Sequence, residues 1–357
     1  MSIALEPTTT AELVDAVRSA PRVIAIGGGT KPRLSRVGDG FTRISTAKLN
    51  GIVEYEPSEF TFTAQAGTPL RDIVKALAER GQYLPFDPML VRAGSTLGGA
   101  VAGGLSGSGR FRFGGLRDFI LGIRFVDGEG RLLRLGGKVV KNAAGFDLPK
   151  FFIGSAGRFG VLAELSFKVF PRPAASRTLR LEAADFGAKV KLFAALANSR
   201  WEIDALDAPL EEPAVYARIG GPATALDALA AEILGRMRGM VLTSGEADFF
   251  WLTVSELRWA HSTGVLAKFA LVPTAVEAFA ARVRACTGAR GWISAGGNVG
   301  YVSTPAGTPL PDFGTVGVTL RGDAPLWLGP RTRFEVMNKV KAALDPQNRF
   351  PDLDERE

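Results

Sequence analysis

The chain has 357 residues, 46% of them hydrophobic and 22% charged, with 43 Lys and Arg against 36 Asp and Glu for a formal charge of +7. That length exceeds one small core and points to two domains of ordinary soluble composition. The basic residues are scattered and no nucleic-acid motif occurs, so the excess does not read as a nucleic-acid footprint. One cysteine, Cys286, and one histidine, His261, are too few for an internal disulfide, a cysteine-held iron–sulfur cluster or a zinc site. Any redox chemistry is therefore expected to run on a bound organic cofactor.

The first residues lack a basic n-region and an apolar h-region, and no apolar run reaches the roughly 18–20 residues of a spanning helix. The expectation is a cytoplasmic protein without a transmembrane segment, with peripheral docking on the inner membrane through a complex left open. Thr9 to Glu12 reads as a capping box opening a helix with Leu13, Val14 and Val17 on one face. Residues 22–26 read as a buried strand running into Gly27, Gly28, Gly29, Thr30 and Lys31. A strand feeding three glycines suits either a tight turn or backbone amides presented to a phosphate, and Thr30 and Lys31 favour the phosphate.

Residues 52–56 and 60–66 read as strands, the second with Phe60, Phe62, Ala64 and Ala66 on one face. Thr68 as N-cap and Pro69 at N1 then open a helix buried through Leu70, Ile73, Val74 and Leu77 and closed by Gly81.

Residues 93–118 are the centre of the chain. Gly94, Gly98, Gly99, Gly103, Gly104, Gly107 and Gly109 clear side chains from the backbone, which calls for unusual dihedrals or close approach to a ligand. Ser95, Thr96, Ser106, Arg110, Arg112 and Arg117 add donors suited to an anionic, planar guest. Leu97, Val101, Leu105 and Phe111 argue against a flexible linker. Residues 119–126 and 131–135 read as a hairpin around 127–130. Gly154, Gly157 and Gly160 then feed a strand with Val161, Ala163, Leu165, Phe167 and Val169 on one face. Pro171-Arg172-Pro173 is the clearest boundary.

Beyond it, helices are expected over 185–198, 222–238 and 274–286, the last with Cys286 as a core residue. Strands are expected over 265–272, 299–303 and 315–320, and a final helix over 331–344 precedes an acidic tail. The motifs of dinucleotide-binding Rossmann units, P-loops, zinc peptidases and α/β-hydrolases are missing.

The ordered set Gly27 to Thr30, Gly94 to Ala102, Arg112 to Asp118, Lys141 to Asp147, Gly154 to Val161 and Pro171 resembles the FAD-binding domain of the vanillyl-alcohol oxidase (PCMH-type) flavoprotein family. Length, the Gly104-Leu-Ser-Gly107 stretch and Lys141-Asn142 look most like the FAD-binding subunits of its glycolate-oxidising complexes. The resemblance implies an α+β fold: a two-lobed FAD-binding domain over 1–173, then a smaller α/β cap domain over 174–330 with an antiparallel sheet and flanking helices. A C-terminal helix and tail over 331–357 return to the FAD domain.

The resemblance also implies that residues 27–31 form the first pyrophosphate loop. Pro88, Gly94, Ser95, Thr96, Gly98 and Gly99 pass along the diphosphate and isoalloxazine, continued by Gly103, Ser106 and Gly107. Gly157, Gly160 and Val161 meet the adenine side through backbone groups. Arg117 and Asp118 match the family pattern and read as either a flavin contact or a structural ion pair. Lys141 and Asn142 lie either near the flavin edge or in a capped turn.

Gly29-Thr30 stands where some relatives attach flavin through histidine, so the FAD is expected to be noncovalent. Residues 294–300 stand where relatives acting on 2-hydroxy acids carry histidines, and none is present. His261 is the only candidate base by residue type and reads as structural. Catalytic residues are therefore not assigned from the sequence.

The implied function is 2-hydroxy-acid oxidation, glycolate or a relative giving the 2-oxo acid, with electrons leaving the flavin for a partner iron–sulfur subunit beside a larger FAD-containing catalytic subunit. The alternatives are a non-catalytic FAD-holding relay subunit and a stand-alone flavin alcohol oxidase.

Overall fold

The computed structural model describes residues 5–137, 148–330 and 334–353. Lys141 and Asn142 lie outside the described residues. The first helix, Thr10–Arg18, is capped by Thr9, whose hydroxyl accepts from Glu12 N–H at 3.1 Å. The Glu12 carboxylate, however, accepts from the N–H and hydroxyl of Thr8 rather than closing the box on Thr9. The strand Val23–Ile26 pairs in parallel with Thr42–Ser45.

A five-stranded antiparallel sheet runs in the order Ile52–Glu56, Thr61–Gln65, Val161–Lys168, Ile120–Val126, Leu132–Gly136. Phe62, Phe125, Leu165 and Phe167 pack on Leu70, Ile73 and Leu77 of the helix Leu70–Ala78. Each such buried side chain contributes about 1.5–3 kcal/mol. Val126, Val161 and Ala163 pack instead with Leu13 and Val17. The single face expected for Val161 to Val169 is thus divided. A register shift between Arg124 and Phe125, opposite Glu164 and Leu162, re-aims the strand there.

Two other expectations are corrected nearby. Phe60 stands outside its strand at φ +54° and 40% exposed, because the chain turns there. Pro69, not Thr68, flanks the helix Leu70–Ala78. The Thr68 hydroxyl instead bonds Gly51 N–H, Gly51 O and Gln65 O, tying two loops together.

The second large sheet has nine antiparallel strands, all between Ala175 and Leu328, whereas the strands of the other sheets end at Pro171. Its order is Gly239–Val241, Ala175–Glu182, Ala214–Gly221, Ile203–Pro209, Arg290–Ser294, Val299–Ser303, Leu266–Ala270, Gly317–Arg321, Trp327–Leu328. The helices Phe186–Ala197, Ala223–Leu234 and Val276–Ala285 meet it through Phe193, Leu196, Ile233 and Phe279. Another apolar cluster joins Trp292 and Tyr301 of this sheet to Leu105 of the central stretch and to Met89 and Leu90 just before it. Cys286 is half-buried at the C-cap of Val276–Ala285, outside the helix core.

The helix Phe334–Leu344 ends in a knot that binds the tail to the N-terminal half. Lys341 Nζ donates to Asp345 Oδ2 at 2.5 Å, to Arg158 O at 2.9 Å and to Phe350 O at 3.0 Å. Asp345 accepts from the N–H groups of Arg349 and Phe350. Phe350 packs with Leu13, Val17 and Val161, and Val23 N–H donates to Arg349 O.

Candidate functional site

Two backbone segments meet edge to edge. A Cβ on Gly28 would lie 1.9 Å from the carbonyl oxygen of Gly94, so only glycine lets the loop after Val23–Ile26 rest on the central stretch. Thr96 caps the helix Leu97–Gly103, accepting from Gly99 N–H at 3.1 Å. That helix and two further short ones, Arg110–Phe113 and Leu116–Phe119, lie where the sequence reads only as a glycine-rich run.

Between the two segments opens a cleft lined by Gly27, Gly28, Gly29, Thr30, Lys31, Thr96, Gly98, Gly99, Gly157 and Gly160, with Thr46 and Leu162 also in its lining. The stem of Lys31 runs beneath Gly103, where a Cβ would come within 2.8 Å of Lys31 Cε. Lys31 Nζ donates to Thr30 Oγ1 at 3.0 Å and Ser95 Oγ at 3.2 Å. Both partners are neutral hydroxyls, and Lys31 is only 7% exposed. Burial without a carboxylate pulls its pKa down to about 8. A buried ammonium facing a glycine-walled cleft is a donor set for a phosphate or diphosphate.

The remaining expected site residues stand elsewhere. Pro88 and Gly107 line a separate groove with Tyr83, Asp87, Arg218 and Trp251. Gly94 lies under Gly28. The Ser106 hydroxyl accepts from Leu116 N–H at 3.0 Å. Asp118 accepts from Gly115 N–H at 2.9 Å and so caps a short helix rather than pairing with Arg117, which is exposed. Val161 presents its side chain to the core. Arg112 is paired within the protein, donating to Asp204 and Glu202, each at 2.6 Å. His261 also stands apart from the cleft lining, its Nε2 2.8 Å from Gly288 O and its backbone N–H on Ser303 Oγ.

Residues that the sequence reading missed lie on the second sheet. Lys268 pairs in register with Tyr301 and donates to Gly104 O at 2.6 Å. Burial, with the positive charge of Arg110 nearby, pulls Lys268 down to about 7. The Tyr301 hydroxyl, 3% exposed, donates only to the Met89 thioether at 3.4 Å. Asp207 is fully buried and accepts from Ser108, Trp292, Ser294 and Ala295. A polar residue within a run of otherwise buried strand positions is a legible signal, but its partners are not. Among the described residues no group of three or more His, Cys, Asp or Glu is placed to hold a metal.

Residues 1–136 match the family model of an FAD binding domain. The cofactor indicated is FAD. The glycine-walled cleft with Lys31 at its side suits the diphosphate of that cofactor. The chain is 44% identical over 167 residues to the glycolate oxidase subunit GlcE of Escherichia coli, covering 47% of this chain and 47% of that protein. The glycolate oxidase subunit GlcD of Bacillus subtilis is 34% identical over 155 residues, 43% of this chain and 31% of the relative. A D-2-hydroxyglutarate dehydrogenase of Xanthomonas citri pv. viticola is 30% identical over 200 residues, 55% of this chain and 42% of the relative. The chain thus spans about half or less of the length of these curated relatives. In fold, it is similar to an alkyldihydroxyacetonephosphate synthase, with TM-score 0.70 and 16% identity over 97% of this chain and 74% of that one. No helix among the described residues is long and apolar enough to cross a membrane.

Proposed function

We propose that the chain is the FAD-binding subunit of a glycolate oxidase complex, acting on glycolate or a related small 2-hydroxy acid. The observation that carries this reading is the cleft itself, glycine-walled and bordered by the buried, carboxylate-free Lys31. The similarity to glycolate oxidase subunits and 2-hydroxy-acid dehydrogenases supports the substrate class.

Gly27, Gly28, Gly29, Thr30 and Lys31 would hold the diphosphate with Ser95, Thr96, Gly98 and Gly99. Gly103, Ser106, Gly107 and Pro88 would border the ring system, Gly157, Gly160 and Val161 would meet the adenine side through backbone groups, and Arg117 and Asp118 would contact the flavin. Bound FAD would supply acceptance of the two electrons that leave the hydroxy acid. With no histidine beside Gly29 for covalent attachment, the cofactor is held noncovalently.

On the sheet side, Lys268 and Arg110 concentrate positive charge with no carboxylate hydrogen-bonded to either among the described residues, which suits the carboxylate of the substrate. Residues 1–173 serve as the FAD domain, 174–330 as the cap, and 331–357 as the tail that returns to the first. The partners in this reading are a larger FAD-containing catalytic subunit and an iron–sulfur subunit that takes the electrons.

One observation favours a second reading, a subunit that holds FAD as a relay while its larger partner oxidises substrate. Residues 294–300 contain no histidine, and Ser294 is committed to Asp207, so no proton acceptor stands on that turn. An anaerobic visible spectrum of the purified chain, before and after glycolate, separates the two. Bleaching supports a subunit that itself oxidises 2-hydroxy acids; an unchanged flavin spectrum supports the relay; no flavin uptake overturns both.

A further inference from the structure

In a regular strand, residues three apart point to opposite faces. Asp204 and Asp207 of Ile203–Pro209 nevertheless both reach the central glycine stretch. The register against Ala214–Gly221 shifts between Ile203 and Ala205, so Asp204 is the extra residue of a bulge that re-aims it. Asp204 takes Arg112 at 2.6 Å, and Asp207 takes Ser108 Oγ at 2.8 Å.

Asp207 also accepts from Trp292 Nε1 at 2.9 Å, Ser294 Oγ at 2.9 Å and Ala295 N–H at 3.2 Å. All four donors are neutral, and they satisfy both carboxylate oxygens of a group that is 0% exposed. The same carboxylate therefore ties Ser108 to a turn of the nine-stranded sheet where Ala295 sits at φ +52°. From its own half of the molecule the loop is held by Gly107 N–H, which donates to Phe86 O and Asp87 O, and by Gly109 N–H on Asp87 Oδ2; from the sheet, Lys268 Nζ reaches only its first residue, Gly104 O, at 2.6 Å.

We propose that Asp207 is a positioning residue that fixes the 104–109 backbone against the sheet through Ser108, and so sets the wall bordering the flavin ring. This rests on the assignment of that stretch to the FAD site. Cutting the loop-side bond disturbs the flavin, whereas cutting a sheet-side bond of the same hub does not.

The test uses the full chain loaded with FAD, as wild type, Ser108→Ala, Ser294→Ala and Asp207→Asn. Ser108→Ala is expected to shift the visible flavin bands, raise flavin fluorescence at least about twofold and raise the FAD Kd about tenfold. Ser294→Ala, which removes one donor from the same carboxylate, is expected to keep the wild-type spectrum and Kd while lowering Tm. Asp207→Asn is expected to follow Ser108→Ala; if it is insoluble, the two serine variants decide. Equal Tm losses in both serine variants with unchanged spectra and Kd overturn the proposal and leave Asp207 a purely structural hub. A wild type that takes up no FAD overturns the cofactor assignment and this proposal together, before any variant is compared.

Discussion

Lys31 is where residue chemistry bears most directly on function. Its pKa, lowered to about 8, means that the cofactor-free protein holds this proton only below about pH 8. An unfolded chain keeps it to the usual lysine value, so between those pH values the unfolded state binds more protons and stability rises with pH. Anion binding has the opposite slope. FAD affinity is expected to be flat below about pH 8 and to fall as pH rises through it, approaching tenfold per unit. Lys31→Met should weaken FAD about 10- to 100-fold at pH 7, the range of a charge-assisted hydrogen bond, and flatten that pH profile. A fluorescence titration at several pH values checks both.

His261→Gln should leave glycolate-dependent flavin bleaching within about twofold, because the ring bonds a loop carbonyl away from the cleft lining. A large loss of bleaching with FAD retained would make it a catalytic residue. At this scale the loop 27–31 that lines the cleft was legible because five adjacent residues carry it. Lys268, Asp207 and Tyr301 were not, since each becomes informative only when the second sheet folds onto the central stretch.

Among elements, the Thr9 cap and the Leu13 and Val17 stripe were readable, the Thr68 cap and the single face of 161–169 were not, and the further misses have local causes. The helix Ser244–Ser255 carries Phe249, Phe250, Trp251 and Leu252 in succession, which leaves no stripe of helical period to find. Its capping box, Thr243 with Glu246, was the available signal. The helix Leu97–Gly103 hides among glycines that weaken helix propensity; Thr96 and packing of Leu97 and Val101 hold it.

The tail is an element-scale surprise. Beyond the last helix the chain turns back and places Phe350 in the core beside Leu13 and Val17. Asp345→Ala would leave the Lys341 ammonium buried with only carbonyl acceptors and free two backbone N–H groups. It should cost about 3–5 kcal/mol, seen as a large fall in Tm, with the loss referred to wild type at neutral pH.

For the molecule as a whole, the prolines and the change of composition at residues 171–173 fall between the last strand of the smaller sheets and Ala175, where the nine-stranded sheet begins. The manner in which the halves meet was not legible. Arg112 on Asp204 and Glu202, Arg218 on Asp87, Ser108 on Asp207 and Lys268 on Gly104 are all long-range pairs that no local pattern announces. Three of the scattered basic residues, Arg112, Arg218 and Lys268, are thus internal fasteners between the first half of the chain and the segment that forms the nine-stranded sheet.

The central claim is that the cleft walled by residues 27–31 and the helix Leu97–Gly103 binds FAD. The most direct measurement is an FAD titration of the flavin-free chain and its Gly99→Val variant, with circular dichroism to confirm that both are folded. A Cβ at Gly99 already approaches Thr96 Oγ1 to 2.9 Å, and valine adds two methyl groups at the cleft wall. One FAD per wild-type chain is expected, with no measurable binding by the folded variant. Full flavin uptake by Gly99→Val at wild-type affinity would contradict that claim.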